Sequence, residues 1–179
     1  MSDLHKKIQL SEEEYKKYGS DVCFAGTVSE RRIKVLEELS DFNLNVWSPR
    51  SVYSFEEKSR IKISKLPSSS SLYSKFTDRA VWNEELVKVY NASKIVLNIH
   101  SPQTVPIMRD FEVTGCGALL MTDHARSLET MFSLGEEIIC YKNIEELKDL
   151  VKFYLSHSRE REEIAGKGNL RAQRDHTYA

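Results

Sequence analysis

The stretch RDFEVTGCGALLMTD, residues 109–123, decides the fold class of this 179-residue chain. Its first part has helical spacing and carries Glu112 three residues ahead of a Gly-Cys-Gly sequence. Its last part, 118–123, is an apolar run of the kind that forms a buried strand. The stretch therefore predicts a helix that leads directly into a buried strand. It leaves open what partner the glutamate has.

Short apolar runs continue to alternate with amphipathic helices on both sides of this stretch. Predicted strands cover residues 21–26, 43–49, 60–66, 94–100, 118–123 and 136–142. Predicted helices cover 29–40, 83–94, the segment from Pro106 to the glycines, 127–135 and 143–158, and Ser29 and Asn143 are their expected N-caps. The Ser-rich segment 67–78 is expected to be a surface loop. Strands without strict polar alternation, separated by helices, predict an α/β fold with a doubly wound, mostly parallel sheet of five or six strands.

Composition and charge narrow the range of functions. The formal net charge is −1 and the basic residues are interspersed with acidic ones, which argues against a nucleic-acid-binding protein. No apolar run is long enough for a membrane span, and the polar N-terminus lacks the apolar core of a signal peptide, so we expect a cytoplasmic protein. Cys23, Cys116 and Cys140 are widely spaced in apolar surroundings, which indicates buried thiols and no metal site.

A sheet of this class binds ligands beyond the carboxyl ends of its strands. The loops at that edge are expected over 26–32, 47–52, 66–82, 100–107 and 122–128. The first of them, GTVSERR, begins with Gly26, which lets a ligand approach the backbone, and it leads into a helix N-terminus that favours an anion. Arg31 and Arg32 could contact phosphate. Taken alone, however, this loop is better explained as a plain turn with two solvated arginines, since it matches neither G-x-G-x-x-G nor a P-loop.

A second group of polar residues follows the predicted strand 94–100. His100 ends that strand, and the next helix carries Arg109 and Glu112 three residues apart. These two could form an intrahelical ion pair, and a lone histidine is more often structural than catalytic. The same carboxylate could instead accept hydrogen bonds from the vicinal hydroxyls of a ribose. Gly115 and Gly117 would let the helix pack closely against the following strand.

The segments YNASKIVLNIH (90–100), RDFEVTGCGALLMTD (109–123) and the tail from residue 128 resemble the C-terminal domain of group 1 glycosyltransferases. The closest branch is the spore-maturation-protein-B-like one. YGSDVCFAGT (18–27) resembles the opening of the same domain. The resemblance covers residues 18–178 and is strong over 90–178 but weak over 50–80. It implies a GT-B fold, in which two Rossmann-like domains face each other across a cleft and the C-terminal one binds a nucleotide-sugar without a metal.

The resemblance also implies roles for individual residues. Glu112 matches the glutamate that binds the ribose hydroxyls, and Gly26 matches the glycine of the first loop. Arg32 stands where many relatives have a diphosphate-binding lysine, and the segment 101–109 matches one that meets the sugar and phosphate. The full donor-binding set implied is Gly26, Thr27, Arg31, Arg32, His100, Arg109, Glu112, Gly115 and Gly117.

Two departures from the family pattern limit this transfer. Many relatives carry a second glutamate eight residues before the ribose-binding one, and Thr104 stands there instead. Thr27 replaces the usual first-loop arginine. Both departures leave open whether the parent enzyme retains or inverts the anomeric configuration.

Length sets the expected domain organisation. Residues 1–18 resemble an interdomain linker or extension, and 19–179 are expected to form one nucleotide-sugar-binding, Rossmann-like domain. A complete GT-B enzyme has two such domains, so the N-terminal, acceptor-binding half would be a missing partner and this chain alone would be inactive. The expected ligand is a UDP- or GDP-linked sugar. Two alternatives remain open: a non-catalytic Rossmann-like interaction module, and half of a GT-B sugar-nucleotide epimerase.

Overall fold

A computed structural model of the chain describes residues 4–56, 60–100 and 107–177. A 3-10 turn at Tyr73–Lys75 lies between its fifth strand and its third helix. In chain order the elements are α1 (Glu12–Tyr18), β1 (Ser20–Ala25), β2 (Val28–Ser29), α2 (Glu30–Glu37), β3 (Leu44–Trp47), β4 (Ser51–Glu56), β5 (Arg60–Lys65), α3 (Asn83–Ala92), β6 (Ser93–Asn98), α4 (Met108–Gly115), β7 (Leu119–Asp123), α5 (Leu128–Met131), β8 (Ile139–Tyr141), α6 (Ile144–Ser156) and α7 (Ser158–Asp175).

Five of the strands form a parallel sheet in the order β3-β1-β6-β7-β8. Both of its faces are covered, because successive residues of β1 enter different cores. Val22 and Phe24 belong to one apolar cluster, whereas Cys23 and Ala25 belong to the other. A strand buried on both faces cannot show polar alternation. The predicted doubly wound α/β class is therefore confirmed.

Helix N-caps fix where two of the predicted helices begin. The Ser29 side chain accepts a hydrogen bond from the Arg32 backbone at the start of α2, and Asn143 accepts one from Glu146 at the start of α6. Each cap satisfies a backbone N–H that has no partner within the helix. Both N-cap predictions are confirmed.

The segment 50–80, which the sequence describes least clearly, adds a second, three-stranded sheet. Its order is β2-β4-β5, with β2 parallel and β5 antiparallel to β4. The predicted strand 60–66 is confirmed as β5, but β4 was not predicted. The prediction of a surface loop over 67–78 was wrong for Leu72 and Phe76, which are buried in the core. The serine-rich composition predicts an exposed loop, but burial of two apolar side chains is enough to fix a short segment on the core.

The two ends of the chain pack against the sheet domain. Near the N-terminus, Ser11 and Glu14 form a capping box on α1, and Leu10 and Tyr18 are buried. Near the C-terminus, α7 contacts α4 and β7, and Asn169 donates to the carbonyl of Gly115 over 2.6 Å. The predicted helix start at Pro106 lies outside the described residues. Among the described helices, none combines the length and apolarity that crossing a bilayer requires.

Candidate functional site

A cavity of about 420 Å³ opens at the carboxyl edge of the parallel sheet. Four of the predicted site residues line it: Gly26 and Thr27 from the loop after β1, and Arg109 and Glu112 from α4. The remaining lining residues come from the N-terminal segment, the ends of β1 and β3, the segment after β3, β4, the segment 80–82 and α3. They are His5, Ala25, Trp47, Ser48, Pro49, Tyr53, Ala80, Val81, Trp82, Asn83, Leu86 and Tyr90. The predicted loops 47–52 and 66–82 thus supply much of the wall.

Gly26 and Arg109 meet at one side of this cavity. Gly26 has a φ of +138°, and a Cβ built on it would collide with the Arg109 guanidinium. Arg109 Nη1 donates to Asn98 Oδ1 over 3.0 Å, and its guanidinium lies 5.5 Å from the centre of the Phe24 ring. The backbone conformation therefore favours glycine here, and a larger residue would also displace the arginine.

Glu112 faces the same cavity from the next turn of α4. Its Oε1 lies 3.6 Å from Nε2 of His5, a buried residue of the N-terminal segment that also lines the cavity. Burial lowers the pKa of His5, and the Glu112 carboxylate opposes that change. Arg109 thus bonds with Asn98, and Glu112 faces His5. Among the described residues, Arg109 and Glu112 do not form the intrahelical ion pair considered above.

The opposite wall of the cavity is aromatic and apolar. Trp47 is buried between the Tyr18 ring, 5.8 Å away, and the Arg79 guanidinium, 5.2 Å away. Trp82 stands at the start of α3 and is 73% exposed, an unusual state for a tryptophan. Sequence reasoning missed these residues as site components. The available signals were a tryptophan at the carboxyl end of a strand and another directly before a helix at the ligand edge.

Arg31, Arg32 and His100 lie at the same edge of the sheet but not among the residues that line the cavity. Arg32 donates to the carbonyls of Thr27, over 2.6 Å, and Ile99, over 2.6 and 2.9 Å. Burial, followed by repulsion from Arg109, lowers the pKa of Arg32 to about 10. Arg32 thus ties the loop after β1 to the end of β6.

His100 is 2% exposed and lies between two carboxylates. Its Nδ1 is 2.8 Å from Asp123 Oδ1, and its Nε2 is 3.0 Å from Asp110 Oδ2. Arg31 completes the group, donating to Asp123 Oδ2 over 2.6 Å and to the His100 carbonyl. Asp110 and Asp123 were not predicted as site residues, although both lie in the stretch that opened the sequence analysis.

Gly115 and Gly117 lie beyond the cavity, at the end of α4. Gly117 has a φ of +76°, and a Cβ built there would approach the Lys7 side chain at 3.4 Å. Together with the contact between Asn169 and Gly115, this places both glycines in packing between α4, β7 and the chain ends. Cys23 and Cys116 are buried and Cys140 is half-buried, and all three are free thiols.

Residues 29–179 match the family described as "Glycosyl transferase-like". Three solved structures have similar folds. Sucrose-phosphate synthase from Thermosynechococcus elongatus has 13% identity and a TM-score of 0.66. HepE from Anabaena in complex with UDP-glucose has 12% identity and a TM-score of 0.68. The C-terminal domain of the group 1 glycosyl transferase LpcC from Francisella tularensis has 12% identity and a TM-score of 0.66.

Coverage of these structures defines what part of a glycosyltransferase the chain resembles. The alignments include 95%, 96% and 98% of this chain, respectively. They include 45% of the synthase and 50% of HepE, but 97% of the isolated LpcC domain. No curated protein sequence matches at a significant level. The architecture is that of one Rossmann-like half of a GT-B fold. Because the family match extends over most of its residues, the chain belongs to the glycosyl transferase-like family.

Proposed function

We propose that this chain is the nucleotide-sugar-binding domain of a glycosyltransferase and that its cavity holds the nucleoside diphosphate part of the donor. The observation that carries the proposal is the composition of the cavity wall. It combines a carboxylate, Glu112, with an arginine, Arg109, packed on Gly26, and it sets both opposite an aromatic surface. A nucleoside diphosphate has the matching parts: vicinal hydroxyls, an anion and a flat base.

The ribose would bind at Glu112. An ionised carboxylate has two acceptor oxygens and can accept a hydrogen bond from each of two neighbouring hydroxyls. In the structure one of these oxygens faces His5 Nε2 over 3.6 Å, longer than a normal hydrogen bond. That contact is weak enough for a ribose hydroxyl to replace it.

The diphosphate would bind between Arg109 and the loop after β1. The Arg109 guanidinium already faces the cavity, where it packs against Gly26, and it can donate charge-assisted hydrogen bonds to a phosphate. Arg32 would contribute from behind this loop, where its positive charge lies close to that of Arg109. An anion between the two arginines would relieve their mutual repulsion.

The base would occupy the wall formed by Trp47, Pro49, Val81 and Trp82. Indole rings stack on nucleobases and account for about 1–3 kcal/mol per base in other proteins. The HepE structure, whose fold is similar, contains UDP-glucose. We therefore include UDP- and GDP-linked sugars as donors and take uridine nucleotides as the first ligands to test.

The sequence resemblance supports the spore-maturation-protein-B-like branch of the group 1 enzymes. The chain spans about half the length of sucrose-phosphate synthase and HepE, which supports a second Rossmann-like half as the partner that binds the acceptor. Sugar transfer would require both halves, and this chain alone would bind the donor without turnover.

Calorimetric titration with UDP and GDP tests the proposal. The wild-type chain should bind at least one of them in the micromolar to millimolar range, and Glu112→Ala should weaken binding roughly tenfold or more, because it removes hydrogen bonds to a charged acceptor. Glu160→Ala, at an exposed position on α7, is the matched control and should bind like the wild type. A folded wild-type chain that binds neither nucleotide would refute the proposal.

The same titration addresses the alternative functions. If Glu112→Ala changes thermal stability but not nucleotide affinity, the acid is structural and the interaction-module hypothesis gains. The epimerase hypothesis depended on His100 in the cleft. Since His100 is enclosed by Asp110 and Asp123 and does not line the cavity, no observation favours that alternative.

A further inference from the structure

A continuous chain of hydrogen bonds runs behind the cavity, from the surface of α2 to the arginine at the cavity wall. Each link joins side chains from different elements, and the distances between donor and acceptor range from 2.6 to 3.0 Å. In order, its members are Arg31, Asp123, His100, Asp110, Asn98 and Arg109. Of these, only Arg109 is among the residues that line the cavity.

His100 is the centre of this chain, and its contacts define its charge. Asp123 Oδ1 lies 2.8 Å from one ring nitrogen and Asp110 Oδ2 lies 3.0 Å from the other. An ionised carboxylate can only accept hydrogen bonds, so both ring nitrogens must donate, and a histidine that donates twice is an imidazolium. Burial acts against the charge, but the hydrogen bonds to the two aspartates and their negative charges outweigh it and raise the pKa of His100 to about 9.

Asp110 links His100 to Asn98. Its Oδ2 contacts the imidazole, and its Oδ1 accepts a hydrogen bond from Asn98 Nδ2 over 2.6 Å. The other end of the same amide, Oδ1, must then point the opposite way, where it accepts from Arg109 Nη1 over 3.0 Å. The Asn98 amide thus connects Asp110 to the arginine, with one end bonded to each.

We propose that His100 is a positioning residue, which acts through Asp110 and Asn98 to hold the Arg109 guanidinium against Gly26 for a diphosphate. This inference rests on the proposed function, because it assigns the diphosphate to Arg109. His100 does not touch the ligand in this account. It fixes an arginine before the ligand arrives, so that little side-chain entropy is lost on binding.

The other charged groups around His100 fit this role. Asp123 on β7 and Asp110 on α4 face the imidazole directly, and Arg31 on α2 donates to its backbone carbonyl and to Asp123. Arg109 contacts neither of these carboxylates directly and is joined to Asp110 through the Asn98 amide. The two carboxylates lie at opposite ring nitrogens and cannot converge on one metal ion, and no metal-binding cluster is found among the described residues.

Two substitutions and two ligands test the role of His100. His100→Gln can donate to one aspartate but not to both, and Asn98→Ala cuts the link to Arg109 while leaving the histidine in place. UDP presents a diphosphate, whereas uridine does not. We expect each variant to bind UDP roughly tenfold more weakly than the wild type and uridine within about twofold, because only the arginine contact is disturbed. His124→Ala removes an exposed histidine that pairs with Glu129, and this control should change neither affinity.

Nuclear magnetic resonance of the imidazole in the wild-type chain provides a second measurement that does not depend on a folded variant. Both ring nitrogens of His100 should carry protons at neutral pH. Raising the pH through about 9 should lower the ratio of UDP to uridine affinity in the wild type and leave it unchanged in His100→Gln.

The outcomes separate this inference from the proposed function. A wild-type chain that binds no nucleotide refutes the proposed function. A wild type that binds UDP while His100→Gln and Asn98→Ala keep its ratio of UDP to uridine affinity overturns the positioning role alone. An imidazole that carries one proton at neutral pH overturns it as well.

Discussion

Helix α4 contributes to two regions of opposite character at the same edge of the sheet. In the cavity, Arg109 and Glu112 face open space and have few partners. In the buried network, Asp110 is fully enclosed and bonds with Asn98, His100 and the backbone of Ile107. The cavity can exchange its contacts for those of a ligand, whereas the network has already satisfied its charges internally.

Helical geometry explains how neighbouring residues come to serve such different regions. Residues three apart on a helix lie on one face, so Arg109 and Glu112 point together into the cavity. Asp110 is rotated by about 100° from Arg109 and points into the protein. Changes in the network should therefore alter stability and, through Arg109, UDP binding, whereas removal of a side chain that lines the cavity should alter ligand binding with little effect on stability.

The largest effect is expected from Asp110→Ala. It leaves the His100 charge without one carboxylate and removes the acceptor for the Ile107 backbone N–H, and breaking a buried ion pair in this way costs about 3–5 kcal/mol. Urea unfolding measures the loss. Asp41→Ala, at an exposed position, should cost less than about 0.5 kcal/mol. A loss below about 1 kcal/mol for Asp110→Ala would contradict the division between the two regions.

The pH dependence of stability is the second test of the network. The pKa of His100 rises from its ordinary value of 6.5 to about 9 on folding, so its contribution is complete below pH 6.5 and disappears as the pH rises through 9. The free energy of unfolding should fall by roughly 3 kcal/mol over that range in the wild type. His100→Gln should lack this fall. Parallel pH profiles for the two chains would show that His100 is not charged in the folded state.

Gly26→Ala tests the cavity, with Gly135→Ala as its matched control. Both glycines have a positive φ, +138° and +86°, so either alanine carries a backbone strain of about 1–3 kcal/mol. Only at Gly26 would the added Cβ also collide with Arg109, since nothing lies within 4 Å of it at Gly135. We expect UDP affinity to fall roughly tenfold for Gly26→Ala and to remain unchanged for Gly135→Ala. Equal affinities would show that Arg109 does not bind the ligand.

The smallest effect is expected from His5→Ala. At neutral pH His5 is mostly uncharged, because burial lowers its pKa, and its removal should change UDP affinity by less than about threefold. In more acidic solution the protonated imidazole pairs more strongly with Glu112 and should compete with the ribose. UDP affinity should thus decrease as the pH falls below 6.5 in the wild type and stay level in the variant. Calorimetry across this pH range measures UDP affinity in both chains. The same pH dependence in the wild type and in His5→Ala would exclude the competition.

Much of the parallel sheet was predictable, because strands buried on both faces and helices with clear N-caps leave strong local signals. Ser29 and Asn143 each accept a hydrogen bond from the backbone N–H three residues later, so the start of each helix can be read from a short stretch of sequence. By contrast, β4 and the buried Leu72 and Phe76 depend on contacts between segments, and the local composition gave no sign of them. Of the predicted donor-binding set, the structure brings Gly26, Thr27, Arg109 and Glu112 to the cavity. The donor-binding roles themselves stay predictions.

The sequence by itself determined the α/β class, the edge of the sheet where a ligand would bind, and the presence of Glu112 and Arg109 at that edge. These follow from periodicity and chain order, which are local properties. Only the tertiary structure decided that Glu112 faces His5, that Arg109 rests on Gly26, and that His100 is enclosed by two aspartates. The sequence separations are 107 residues for Glu112 and His5, 83 for Arg109 and Gly26, and 23 for His100 and Asp123. Electrostatic and steric pairing over such separations is set by how the elements pack, and no local pattern encodes it.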